Sequence, residues 1–414
     1  MIDIHLLRNE PERVKANCRR RGCEVDLDAL CQKDAEYVAL IREVEELRSE
    51  RNRLSKDCKD KPEARDRVRA IKEEVAAKEK RQEEVKAEVD AGLAWLPNFL
   101  ADDVPVGGTD ADNTQLRFWG DKPAFGFQAL DHQDLGDKLN IIDTARGAKV
   151  AQAGYYYWRG AGAQLTQAMF FWAQRELVNR GFTLFMSPCL AKERTLFGTG
   201  YLPFFADQTY KLAGEDLSLI GTSEQTLVGY HADETLEAAS LPLRYTSYTP
   251  CFRTEAGSYG KVNRGIFRVH QFHKVEQIIF CRPEDSVARH EECLANEEYL
   301  LQQLGIPYRV VLVCDGDMGA PGYRKYDIEA WYPGFGNYRE VTSNTNLTDF
   351  QARRLGIRYQ DKATGQKGFV HTISATGVTD RVVCAILENY QQADGSVIVP
   401  EVLRPFTGFD RISP

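Results

Sequence analysis

From Asp26 or Asp28, each a suitable helix cap, to about Cys58 the chain carries neither glycine nor proline. Within that run Tyr37, Leu40, Val44, Leu47, Arg51 and Leu54 recur at intervals of three and four residues, so they share one helical stripe that only Arg51 interrupts. Pro62 fits the first turn of a helix but not its interior, so it separates this element from the next. Val68, Ile71, Val75, Lys78, Gln82, Val85 and Val89 then repeat the same spacing. Two charged helices, each with one narrow seam, predict an antiparallel coiled-coil hairpin over about residues 27–91, with arms of roughly 45 Å at 1.5 Å per residue. Such a hairpin is too long and too polar to be buried. It suits a dimer or partner contact, and equally a reach to a distant part of a large ligand.

Gly92 and the segment 95–98 close the arm, and the Gly-, Asp- and Pro-rich stretch 102–113 marks a boundary. The expected organisation is an N-terminal domain over 1–101, a linker over 102–114 and a second domain over 115–414. In the second part the pattern changes to β-branched and aromatic runs, at 266–280, 308–314 and 326–333, with helical periodicity at 162–180, 284–304 and 381–391. A long sheet with segregated helices is an α+β fold, not the regular alternation of a parallel one.

Composition narrows the function classes. The 414 residues, 43% of them hydrophobic, support more than one domain and a sizeable core. No run of eighteen apolar residues occurs, and the start MIDIHLLRNEPER lacks the apolar stretch of a signal peptide, so a cytoplasmic protein without membrane contact is expected. Ten cysteines lie without CxxC or zinc-finger spacing, which predicts reduced thiols and no zinc. A net charge of -8 argues against coating nucleic acid by bulk charge, and so against DNA, while allowing a defined RNA on a local basic face.

The familiar nucleotide motifs are missing. Gly160-Ala-Gly162 lacks the third glycine of a dinucleotide loop, and no Walker, kinase, HExxH or GxSxG pattern occurs. Residues 250–281 offer another design: two predicted strands around a Gly-, Lys- and Arg-rich loop at 258–265. Arg253 and Glu255 share one side of the first strand; Arg268, His270, Phe272, Lys274 and Glu276 share one side of the second. Arginines for phosphates, a ring for stacking and carboxylates for amines suit an anionic ligand with an aromatic base. Glu340 and Ser343 set a carboxylate and a hydroxyl where magnesium between phosphates can be met. Arg381 opens an apolar helical run, where free backbone amides also favour phosphate.

These pieces, with Gly198-Thr-Gly-Tyr-Leu-Pro203, Thr222-Ser-Glu224, the CFRTEAGSYGKVNRG loop followed by RVHQFHKVEQ, RKYDIEAW at 324–331 and TDFQARR at 348–354, resemble seryl-tRNA synthetase of bacterial type, a class II aminoacyl-tRNA synthetase, over essentially the whole chain. The resemblance implies a class II antiparallel-sheet catalytic domain flanked by helices. It implies a homodimer with Pro188 at the interface, ATP and L-serine as substrates, magnesium with ATP, and tRNA-Ser as acceptor and partner. Arg253 then holds the α-phosphate and the serine carboxylate, Glu255 the adenine amino group and Phe272 the adenine face. Arg268 meets the outer phosphates, Glu340 and Ser343 magnesium and phosphate, and Arg381 the γ-phosphate. Thr222, Glu224, Glu276, Ser374 and Thr376 surround the serine. The hairpin reaches across the dimer to the elbow and long extra arm of the tRNA. No cysteine, Cys251 included, is expected to form an acyl-enzyme.

One loop departs from the family pattern. Ser374 stands where an asparagine is usual, the loop is one residue shorter, and Asp380 precedes Arg381. Asp380 is expected to turn into the first helical turn as a cap, away from the phosphates. The departure leaves two alternatives open: a paralogue activating serine or another small amino acid for a non-translational acceptor, and a non-catalytic RNA-binding homologue.

Overall fold

Two short helices that the apolar pattern does not announce, α1 (Ile4–Asn9) and α2 (Pro11–Arg20), precede the long ones. The Asp3 carboxylate caps the first by accepting the His5 N–H at 2.9 Å, and Pro11 occupies the first turn of the second. Asp26 then caps α3 (Leu27–Leu54) by accepting the Ala29 N–H at 3.0 Å, and Pro62 opens α4 (Pro62–Ala94). The computed structural model describes residues 1–56, 61–256 and 264–414, so Cys58 and most of the 258–265 loop lie outside the described residues.

α3 and α4 pack against each other along the two expected stripes. Val44, Ile71, Val75, Val85 and Val89 are buried, whereas their flanking positions are largely exposed. Cross-helix ion pairs line the seam: Arg48 with Glu79 at 2.6 Å, Lys33 with Glu88 at 2.6 Å and Arg81 with Glu36 at 2.7 Å. Pairs this exposed add little stability each; their use is to hold an antiparallel register that a valine seam alone specifies weakly.

The chain divides into two units at Met1–Pro97 and Asn98–Pro414, a few residues ahead of the expected linker. The reason is local. The Asn98 side-chain amide donates to the carbonyls of Pro321 at 3.0 Å and Leu347 at 2.9 Å, which ties this stretch into the second unit.

The second unit is built on an eight-stranded sheet among the described residues: β1 (Thr114–Trp119), β2 (Thr183–Phe185), β3 (Leu243–Phe252), β4 (Gln271–Cys281), β5 (Tyr308–Leu312), β6 (Arg324–Tyr332), β7 (Asn337–Thr348) and β8 (His371–Thr379). The order is β1-β5-β6-β7-β8-β4-β3-β2, antiparallel except for the β2–β3 edge pair. Helices α5 (Gly160–Asn179), α6 (Ser286–Gln303) and α7 (Asp380–Asn389) pack against the sheet and share its largest apolar core. Strand β4 shows why the site forms where it does. Val275, Ile279 and Cys281 enter that core; on the other face Ile278 and Phe280 join a second cluster with Leu227 and Leu355. Two-residue alternation then forces Phe272, Lys274 and Glu276, on the same side as Ile278, to line the open end of that face. No helix among the described residues is long and apolar enough to cross a membrane.

Candidate active site

The face of β4 that carries Glu276 opens into a cavity of about 450 Å³, bounded by β4, β6, β7, β8, the start of α7 and the segment just past β3. Arg253, Glu255, Arg268, Phe272, Glu276, Glu340, Ser343, Ser374, Thr376 and Arg381 all line it, as does Glu224 from a short helix, Glu224–Gly229. Sequence reasoning placed several of these on regular strands, and there the structure differs. β3 ends at Phe252, and Glu255 turns back at φ +51°, a left-handed conformation unusual for a residue with a side chain. β4 begins only at Gln271, so Arg268 and His270 precede it. Arg268 still enters the cavity, whereas His270 leaves it and hydrogen-bonds the Arg253 carbonyl at 3.1 Å.

Glu340 and Ser343 are three residues apart, and a regular strand would point them to opposite faces. A β-bulge resolves this. Ile328 pairs with Thr342 and Glu329 with Glu340, so Val341 is the extra residue and both functional side chains reach the same cavity. A second bulge between Thr376 and Val378 does the same on β8. It sets Thr376 opposite Glu276 and Thr379 opposite Lys274.

The cavity has two ends of different chemistry. At one, Arg268 pairs with Glu255 at 2.5 Å, and the Arg253 guanidinium lies 5.1 Å from the Phe272 ring centroid. Arg381 reaches the Glu340 carboxylate at 3.1 Å and the Phe267 carbonyl at 3.1 Å. Partial removal from water pushes the half-exposed Glu340 up, yet Arg381, Lys325 and Arg253 outweigh it and leave the carboxyl below its ordinary range. That carboxylate and the Ser343 hydroxyl, both lining the cavity, are an oxygen donor set that would suit a magnesium ion brought with ATP.

At the other end two carboxylates converge. Glu276 is 1% exposed and accepts the Thr222 hydroxyl at 2.6 Å, with Ser374 at 3.5 Å and the Lys274 ammonium against it. Thr222 itself is fully buried and does not line the cavity; its hydroxyl donates to Glu276 and accepts the Glu224 N–H at 3.2 Å. Glu224 accepts from the Gln351 amide at 2.7 Å and from the Tyr201 hydroxyl at 3.2 Å. Burial, then the nearby Glu276, pushes Glu224 above the ordinary carboxyl range.

Asp380 is not the cap that was expected. Thr379 holds the cap position and Asp380 is the first residue of α7. Its carboxylate is 2% exposed and accepts from the Trp158 indole at 2.9 Å and the His273 backbone N–H at 2.5 Å, so its charge is committed away from Arg381. Cys251 is fully buried with its thiol pushed up to about 11 by burial, unsuited to nucleophilic work. Pro188 lies outside the cavity, exposed and just beyond β2, beside the fully exposed Met186.

Sequence reasoning gave no role to Gln351, Tyr201 or Lys325. Gln351 is buried and ties Glu224 to the Thr199 carbonyl at 3.0 Å, while accepting the Thr372 hydroxyl at 2.8 Å. Its signal was available in the TDFQARR motif; its partner, 127 positions away, was not.

Comparison with known proteins agrees over both units. A family model for the tRNA synthetase class II core domain (G, H, P, S and T) matches residues 209–390, and one for the seryl-tRNA synthetase N-terminal domain matches residues 1–100. The serine--tRNA ligase of Rubrobacter xylanophilus is 44% identical over 423 residues, covering 100% of this chain and 99% of that protein. The one from Dictyoglomus turgidum is 43% identical over 425 residues, with 100% of both covered. Among solved structures, seryl-tRNA synthetase from Pyrococcus horikoshii complexed with ATP superposes with a TM-score of 0.95 at 39% identity, with 100% of both chains covered. Cytoplasmic serine-tRNA ligase from Naegleria fowleri in complex with AMP gives 0.89 at 31%, over 100% of this chain and 99% of that one.

Proposed function

The chain belongs to the seryl-tRNA synthetases, class II ligases that use ATP to join serine to tRNA-Ser, and from that membership we propose how its cavity divides the work. The observation that carries the reading is the two-ended cavity, cationic around Arg268 and Arg381 and anionic around Glu224 and Glu276. Arg253, one residue past the end of β3, lies between the two chemistries.

In this reading Phe272 stacks on adenine and Glu255 accepts from its amino group. Arg268 exchanges its carboxylate partner for the outer phosphates, and Arg381 holds the γ-phosphate. Glu340 and Ser343 hold magnesium, which supplies positive charge to the phosphate oxygens. Glu276 and Glu224 take the serine ammonium, Thr222 keeps Glu276 in place, and Ser374 and Thr376 face the serine hydroxyl. The serine carboxylate attacks the α-phosphorus and pyrophosphate leaves. Arg253 serves this step by holding nucleophile and α-phosphate in line and by neutralising charge as it builds on the phosphate oxygens. Transfer of the seryl group to a terminal ribose hydroxyl of tRNA needs the same alignment and no protein nucleophile. Glycine and alanine are disfavoured because a group built to meet a hydroxyl is left unpaired by them.

The hairpin supplies the grip on tRNA-Ser. The exposed edge of β2, with Leu184, Met186 and Pro188, is the surface through which two copies pair; sedimentation as a monomer at micromolar concentration would contradict this. Nothing in the comparisons favours a ligase serving a non-translational acceptor, since the relatives match along the whole chain, hairpin included.

The two-ended reading predicts separable defects. In serine-dependent ATP–pyrophosphate exchange, Glu276→Gln raises the serine KM by about 10²-fold and leaves the ATP KM within about twofold, as expected for a charge-assisted contact worth ~2–3 kcal/mol. Phe272→Ala does the reverse. Both variants raising both constants equally would show that the cavity is not divided this way.

A further inference from the structure

Two carboxylates close together in an enclosed site cannot both stay ionised unless a cation sits with them. Glu224 and Glu276 are such a pair, 9% and 1% exposed. The fold supplies the cation from the same strand. Lys274 lies two residues before Glu276, on the same face of β4, is 8% exposed, and sets its ammonium against the Glu276 carboxylate. Thr249 of β3 and Thr379 of β8 stand opposite it in register, so neighbouring strands hold its backbone on both sides. The serine, ATP and magnesium roles described above leave this lysine without a task, although it lines the cavity.

The other groups around the pair do not replace it. Tyr201 and Gln351 donate to Glu224, and Thr222 and Ser374 to Glu276, all as neutral donors. Cys251 is a neutral thiol, and Glu297 of α6, buried on the far side of the sheet, adds only a further acid. Arg253 is the other cation near this end, and the serine carboxylate and α-phosphate claim it.

Resting on the serine-site reading above, we propose that Lys274 is a fixed internal counter-ion: two carboxylates and one lysine leave the amine end with one negative charge, which one serine ammonium balances without a proton having to leave. Lys274 is thus a positioning and specificity residue. It sets the charge that the site accepts and holds one oxygen of Glu276. Without it the pair carries two negative charges in the same enclosure and draws a proton from solvent. Glu224, which burial already pushes up, takes that proton. That proton covers an oxygen the serine ammonium needs, so ammonium and proton compete for the carboxylates and serine binding displaces the proton, one released for each ammonium bound.

The test is the pH dependence of the serine KM in ATP–pyrophosphate exchange between pH 6 and 8, at saturating ATP. In the unaltered enzyme the serine KM is flat across this window, because with Lys274 in place serine binding displaces no proton. In Lys274→Met it is raised and falls with rising pH, by up to about tenfold per unit for a one-proton competition. Lys274→Gln, which keeps a hydrogen-bond donor without charge and guards against a folding defect in the methionine variant, shows the same slope. Lys274→Arg restores the flat profile, and the ATP KM does not move in any of them. A pH-independent serine KM in the methionine and glutamine variants, raised or not, overturns the proposal, since a lysine that only packs gives no slope. Failure of the serine-site reading shows up separately, as an unchanged serine KM in Glu276→Gln.

Discussion

Arg253→Ala abolishes serine-dependent pyrophosphate exchange, by about 10³-fold or more, while the variant binds tRNA-Ser within about twofold of the unaltered enzyme. The size follows from what the side chain is asked to do. Removing one preorganised donor aimed at developing charge costs about 10²–10³ in rate, and on the proposed reading Arg253 also aligns the attacking carboxylate with the α-phosphorus, a positional role of comparable weight. Its surroundings are built for that position. The Arg253 N–H donates to the His270 carbonyl at 2.9 Å, its guanidinium lies over Phe272, and it borders both ends of the cavity. On the proposed reading the guanidinium also holds the serine carboxylate, so the serine KM rises together with the fall in kcat. Exchange in Arg253→Ala within tenfold of normal would remove the residue from the centre of the mechanism. Loss of tRNA binding in the same variant would mean that the substitution disturbs more than the cavity.

The second large effect concerns the hairpin. Replacing residues 30–88 with a short loop leaves serine-dependent pyrophosphate exchange near normal and lowers tRNA charging by several orders of magnitude. The separation is physical: every residue of the cavity lies in the unit Asn98–Pro414, and α3 and α4 bury their apolar seams chiefly against each other. On the proposed reading the hairpin takes no part in the adenylate chemistry and serves the tRNA. Charging at unchanged efficiency in the shortened enzyme would show that α3 and α4 take no part in holding tRNA. A parallel collapse of exchange would show that the second unit needs the hairpin to fold.

The parts of this molecule that could be read in advance are those governed by local periodicity. The hairpin was legible because its narrow seams are nearly all it buries, so Val44, Ile71, Val75, Val85 and Val89 stand out against charged neighbours. α1 and α2 were not, being too short for the apolar period to repeat; only Pro11 after an acidic residue hinted at a helix start. In the cavity, the residue types on 250–281 announced phosphate, ring and amine chemistry, but the strand limits did not, since Arg253, Glu255 and Arg268 lie beyond the ladder. The two bulges were illegible. Val341 and the Thr376–Val378 step differ from ordinary strand residues only in their pairing with β6 and β4, which no local window contains. Asp380 illustrates the same limit. A carboxylate beside a phosphate-binding arginine reads as a conflict until Trp158 and the His273 N–H, both distant in sequence, are seen to hold it.

The central claim is that this cavity loads serine onto tRNA-Ser, and the most direct measurement is charging of total tRNA by the purified protein with each of the twenty amino acids in turn. The account predicts serine on tRNA-Ser at turnover-competent rates, with alanine, glycine and threonine at background. Preferred charging of another amino acid, or adenylate formation with no charging at all, would contradict it, and Ser374 with the short loop before Arg381 would then be the place to look.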